Sequence, residues 1–169
     1  MSKTGEWTRF VRLLALLLRG GKLADQSFVH IADVPVEETW AQLKADPKAV
    51  MIDVRTKAEW SFVGIPDLSA LGRRVVMMEW QSFPEGRTDA QFTERLTAAL
   101  AAAGTGTDDA LFFICRSGGR SRMAAEAMAG AGFRHCTNVA EGFEGPLDHV
   151  RHRGGVSGWK AAGLPWVQG

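Results

Sequence analysis

Residues 110–114 read Ala-Leu-Phe-Phe-Ile, an apolar run of strand length with no polar residue to mark a solvent face. A strand apolar on both faces belongs in a sheet covered on both sides, and such sheets are parallel. AVMIDV at 49–54 and VVMME at 75–79 have the same character, HCTNVA at 135–140 is a further candidate, and FVHIADV at 28–34 a weaker one. Helical stretches lie between them. PVEETWAQLKAD opens with Pro35, suited to a first helical turn, and places Glu37 and Glu38 at the positive end of the helix dipole. TKAEWSFV forms a short helix before the GIPD turn. TDAQFTERLTAALAAAG starts at Thr88, carries Gln91 three residues on as in a capping box, and ends at Gly104. SRMAAEAMAGAG supplies a last helix. The alternation predicts an α/β fold of three layers, a mainly parallel sheet flanked by helices.

A chain of 169 residues suits one domain with a substantial core. The expected division is an N-terminal amphipathic extension, 1–24, followed by the α/β domain, 25–169. In WTRFVRLLALLLRGGK, Trp7, Phe10, Val11, Leu14, Leu17 and Leu18 fall on one helical face, and the apolar run is too short to span a bilayer. No cleavage pattern follows, so it does not read as a signal peptide, and a cytoplasmic location is expected. The face is expected to pack on its own domain or on a partner subunit, with in-plane membrane contact by residues 7–18 as the alternative. A net charge of +1 gives no basic footprint for nucleic acid. Two cysteines, at 115 and 136, are too few for a disulfide scaffold, and no Cys/His cluster suggests a metal site.

Ligands of parallel sheets bind at the carboxyl edge of the strands, and Cys115 follows the most apolar strand directly. The segment Cys115-Arg116-Ser117-Gly118-Gly119-Arg120-Ser121 then leads into a helix. Gly118 and Gly119 let the backbone curl so that successive N–H groups face inward as an anion nest. The helix start adds unpaired N–H groups, and Arg116 and Arg120 add full positive charge. All three favour the thiolate at Cys115, a nucleophile in a cradle that can hold an anion. Cys115 is therefore the candidate catalytic residue, and residues 116–121 the candidate substrate-binding loop.

This loop resembles the active-site loop of the rhodanese (sulfurtransferase) family, Cys-Arg-Ser-Gly-x-Arg-Ser. VMIDVRTKAEW (50–60) is similar to the family's Asp-x-Arg strand, NVAEGF (138–143) to the segment before its last turn, and GWKAAGLPW (158–166) to its common ending. The resemblance covers residues 28–169 and implies a five-stranded, mainly parallel sheet. It also implies a two-step reaction that needs no metal or organic cofactor. Cys115 takes the outer sulfur of a small anionic donor such as thiosulfate as a persulfide, and a thiol, cyanide or a sulfur-accepting protein removes it. Two alternatives stand beside it, a cysteine phosphatase and a persulfide-carrying or regulatory module without turnover. The spacing of Cys115 and Arg120 is one residue shorter than the phosphatase pattern, and the resemblance assigns the shorter loop to sulfur.

The chain departs from the family in two places. GIPDLSA at 64–70 lacks the histidine of the usual His-Ile-Pro-Gly-Ala. EGPLDHVRHRGGVSG is inserted between Phe143 and Trp159, at the sheet edge expected to carry Cys115, and two readings of it stand side by side: a segment that borders the pocket and tunes the choice of donor or partner, or a solvated surface loop. Its His149 and His152 are expected to be solvated rather than metal ligands. Cys136 reads as a small buried hydrophobe, with a resolving role toward Cys115 as the minor alternative. Asp53 and Arg55 are expected to fix the strand-to-loop transition.

Overall fold

The structure, a computed structural model, describes residues 30–169; the amphipathic extension lies outside them. Five strands build one sheet: β1 (Ala32–Val34), β2 (Val50–Asp53), β4 (Val76–Met77), β5 (Leu111–Ile114) and β6 (Cys136–Val139). Their order is β1-β6-β5-β2-β4, and every neighbouring pair is parallel. Four helices cover it: α1 (Val36–Ala45), α2 (Lys57–Val63), α3 (Phe92–Ala102) and α4 (Gly119–Gly130). A separate two-stranded ribbon pairs β3 (Ile65–Pro66) antiparallel with β7 (Trp166–Val167), tying the chain end to the loop after α2.

The period-2 geometry of the strands sorts the core into two layers. Ile52, Val54, Leu111, Phe113 and Cys115 point to one face and pack against Phe92, Leu96 and Leu100 of α3 and Ala124, Ala125 and Met128 of α4. Met51, Phe112 and Ile114 point to the other, against Val36 and Leu43 of α1, Phe143 and Trp159. Both faces are sealed, which is why ALFFI carries no polar residue. Trp159, fully buried, donates Nε1–H to the Pro165 carbonyl at 2.7 Å and anchors the C-terminal turn beneath the sheet.

The start of α3 corrects the sequence expectation. Thr88 is held in a β-bridge with Gln81, so it does not cap the helix. Asp89 turns the chain instead, its Oδ1 accepting from Gln91 N–H at 2.9 Å and its carbonyl from Phe92 N–H at 3.1 Å. A true capping box sits at α2, where Thr56 Oγ1 accepts from Glu59 N–H at 3.2 Å and Glu59 Oε2 accepts from Thr56 N–H at 2.9 Å.

Candidate active site

Cys115 leaves β5 at the carboxyl edge of the sheet and is 1% exposed. Its Sγ faces two donors, Gly118 N–H and Ser121 Oγ–H, each at 3.2 Å. The helix begins inside the CRSGGRS segment: Gly119, Arg120 and Ser121 are already the first turn of α4, and Gly118 is its N-cap at φ 94°. Only Gly118 uses glycine's left-handed freedom here. It needs glycine twice over, since a Cβ would collide with the Ala140 carbonyl oxygen. Gly119 has ordinary helical backbone, so the curl rests on one glycine of the pair.

The loop is oriented by the segment that follows β6. The Cys115 carbonyl accepts from Phe143 N–H at 2.7 Å, and the Arg116 carbonyl accepts from Glu144 N–H at 2.9 Å and Gly145 N–H at 3.2 Å. In a trans peptide the N–H points opposite to the C=O. Pinning these two carbonyls toward residues 143–145 therefore turns the Arg116 and Ser117 amides away from them, in the manner of an anion nest. The approach is close enough that a Cβ on Gly142 would lie 2.5 Å from the Cys115 carbonyl oxygen.

The two loop arginines differ. Arg116 is exposed and its side chain makes no hydrogen bond among the described residues. Arg120 closes a two-pronged ion pair on Glu59, with Nη2–Oε1 at 2.6 Å and Nη1–Oε2 at 2.8 Å. Burial alone would raise the Glu59 carboxyl. The hydrogen bonds from Arg120 and Thr56, and the charge of Arg120, outweigh it and hold it at about 2. The Glu59 hydrogen bond raises the Arg120 guanidinium above its ordinary value, against the pull of burial. Arg120 thus braces α4 against α2. A cleft of about 580 Å³ opens beside the loop, lined by Arg116, Arg120, Glu59, Phe83, Glu144 and Arg153 among others. Glu144 and Arg153 come from the inserted segment, which does border the pocket.

A family model described as STR4 middle domain matches residues 32–169 of this chain. The chain belongs to the rhodanese-like domain family. Over 138 residues it is 32% identical to the uncharacterized protein RC0915 of Rickettsia conorii, covering 82% of this chain and 98% of that one. It is 25% identical to rhodanese-like domain-containing protein 4, chloroplastic, of Arabidopsis thaliana over 132 residues, 78% of this chain and a 25% portion of the plant protein. Among solved structures, Rv0390 from M. tuberculosis is 44% identical with a TM-score of 0.73, covering 83% of this chain and 99% of that one. The polysulfide-sulfur transferase homodimer of Wolinella succinogenes shares the fold at a TM-score of 0.51 and 17% identity, covering 99% and 92%.

This rhodanese-like domain also holds site residues that the sequence pattern did not single out. Parallel register places Asp33, Asn138 and Phe113 in one row across β1, β6 and β5, on the face that carries Cys115 two residues later. Asn138 Oδ1 lies 2.6 Å from Ser121 Oγ, and its Nδ2–H donates to Asp33 Oδ1 at 2.7 Å. Asp33 in turn pairs with Arg122. The Asn138 hydrogen bond leads in lowering the Asp33 carboxyl, with Arg122 adding to it against partial burial. The signal that could have found Glu59 is the Thr-x-x-Glu spacing at 56–59, which the sequence reading passed over; Asn138 and Asp33 depend on register and carried no local signal.

The remaining candidates fall outside the site. Asp53 and Arg55 form a fully buried ion pair at 2.6 Å, and Arg55 also donates to the Gly64 carbonyl at 2.7 Å, so they fix the exit of β2 as expected. Cys136 pairs in register with Leu111, at the opposite end of β5 from Cys115, about 13 Å of strand away. Burial pushes its thiol up to about 12, which suits a small hydrophobe and not a resolving cysteine. His149 and His152 are exposed, and among the described residues no metal-binding group of side chains occurs. No described helix is long and apolar enough to cross a membrane.

Proposed function

We propose that this rhodanese-like domain is a sulfurtransferase working through a persulfide on Cys115. The observation that carries it is the Sγ position, with Gly118 N–H and Ser121 Oγ–H both at 3.2 Å and the N-terminus of α4 behind it. Donors fixed in advance around a sulfur stabilise the anionic forms through which it reacts. In the first step the Cys115 sulfur attacks the outer sulfur of a thiosulfate-type donor. A new S–S bond forms, the donor's S–S bond breaks, and its electron pair leaves with sulfite. An acceptor nucleophile then takes the outer sulfur and the electron pair returns to Cys115. Both cysteines are free, and a reducing compartment such as the cytoplasm keeps the nucleophile available.

The phosphatase alternative calls for a guanidinium fork directed at phosphoryl oxygens. Here the Arg120 fork is closed on Glu59, which favours sulfur chemistry over phosphoryl transfer. Incubation with thiosulfate and cyanide is expected to yield thiocyanate and a one-sulfur adduct on the intact protein. Both disappear in Cys115→Ser. Thiocyanate formation that survives this substitution overturns the mechanism, and an adduct without turnover marks a carrier.

A further inference from the structure

Ser121 Oγ carries one proton, and three acceptors lie within its reach: Asn138 Oδ1 at 2.6 Å, the Gly118 carbonyl at 3.1 Å and Cys115 Sγ at 3.2 Å. Arg122 N–H already serves the Gly118 carbonyl at 3.1 Å, which leaves the proton to be divided between the amide oxygen and the sulfur. The amide oxygen is the nearer, and among the described residues Ser121 is the only side chain that donates to it. Ser121 and Asn138 are both buried, so an acceptor that loses the proton has no water to replace it.

Asp33 determines that the sulfur's rival is an oxygen. A carboxylate only accepts, so the Asn138 amide turns Nδ2–H toward Asp33 Oδ1, 2.7 Å away, and Oδ1 toward Ser121. Turned over, the same amide would offer N–H to Ser121 Oγ and leave the hydroxyl proton to the sulfur. The ion pair that holds the amide sits half in solvent on the edge strand β1, with the Asp33 side chain 48% exposed and that of Arg122 38%. Arg122 and His30 are the cations near Asp33. Around Cys115, Arg120 is paired with Glu59 and Asp53 with Arg55, while Arg116 faces solvent.

We infer that Asp33 is a positioning residue for Cys115: by fixing the Asn138 amide it makes Oδ1 compete with Sγ for the Ser121 proton, and so holds the sulfur toward its neutral form. The inference rests on the reading of Cys115 as the sulfur nucleophile. Ionisation releases the thiol proton to solvent; Ser121 keeps its own proton throughout and only turns it from Oδ1 to Sγ. That turn strands a buried amide oxygen, which is the penalty Asp33 places on the anion.

Alkylation of the full chain by iodoacetamide, in which the thiolate displaces iodide, reads this competition, with peptide mass mapping to assign the adduct to Cys115. Asn138→Ala removes the rival acceptor and is expected to lower the pH of half-maximal alkylation by about one unit, the worth of one hydrogen bond. Asp33→Ala, at a half-exposed site outside the core, lowers it by about half a unit. Asp33→Asn keeps an acceptor for Nδ2–H and stays closer to the wild type. Ser121→Ala raises the midpoint by about one unit, and in that background Asn138→Ala no longer moves it. The inference is overturned by a midpoint unmoved or raised in Asn138→Ala, by a shift that persists without the Ser121 hydroxyl, or by equal shifts in Asp33→Ala and Asp33→Asn, which would mark a bare charge effect. Thiosulfate labelling tells the two readings apart. A wild-type protein alkylated at Cys115 that takes up no sulfur overturns the persulfide reading, whereas normal uptake with unmoved midpoints overturns this inference alone.

Discussion

Replacing Glu59 by Gln should cost this domain roughly 2 kcal/mol and remove much of its acid sensitivity. The carboxylate accepts from Arg120 at 2.6 and 2.8 Å and from Thr56 N–H at 2.9 Å, bracing α2 against α4. Its folded value of about 2 lies some 2.5 units below the ordinary 4.5. At about 1.4 kcal/mol per unit this sets a ceiling near 3.4 kcal/mol. The side chain is 19% exposed, and solvent screening brings the expected effect down to roughly 2 kcal/mol. For a chain of this size that is a fall in Tm of about 4–8 °C. Because the folded carboxyl titrates below the unfolded one, its contribution is complete above about pH 4.5 and falls away as pH drops toward about 2. Urea unfolding of both proteins at about pH 7 and about pH 3 measures the gap, which should shrink by more than half in acid. A gap below about 0.5 kcal/mol at neutral pH, or one unchanged in acid, would show that the pair does not brace the two helices.

Gly118→Ala must place a Cβ against the Ala140 carbonyl at φ 94°; a stability loss of about 3 kcal/mol or more and slower persulfide formation are expected in denaturant titration and adduct kinetics. Retention of both would mean the loop can re-form without its left-handed turn. Cys136→Ala should cost about 1 kcal/mol from a buried site and leave sulfur uptake and turnover intact, whereas lost turnover would restore a role for the second thiol.

The fold was legible because its strands are apolar on both faces. ALFFI and AVMIDV declare a sheet sealed on two sides, and both run as parallel neighbours with Met51 and Phe112 on one face, Ile52 and Phe113 on the other. The start of α3 was not legible. Thr88 and Gln91 have capping-box spacing, but pairing of Thr88 with the distant Gln81 decides its backbone, a contact no local window contains. The candidate nucleophile was legible for the opposite reason, since Cys115, Gly118 and the start of α4 are adjacent in sequence and their geometry is local. Arg120 shows the limit of local reading. The sequence shows only a positive charge on the loop, yet Glu59, distant in sequence, takes it up.

Register across the sheet, more than loop chemistry, sets which partners the hydroxyl beside the proposed nucleophile can choose between. Ser121 has one hydroxyl proton and three acceptors in reach: Cys115 Sγ at 3.2 Å, the Gly118 carbonyl at 3.1 Å and Asn138 Oδ1 at 2.6 Å. Asn138 cannot turn its amide around freely, because Nδ2–H is committed to the Asp33 carboxylate, so its oxygen must face Ser121. With a thiol present, the hydroxyl can donate to Asn138 while accepting the S–H. With an anion present, the same proton can swing to sulfur and join Gly118 N–H, leaving Asn138 Oδ1 to bear the loss. Gly118 is thus a fixed donor and Ser121 a switchable one. The pairing of Asp33 with Asn138, set by β1 lying in register beside β6, keeps that switch pointed at Cys115.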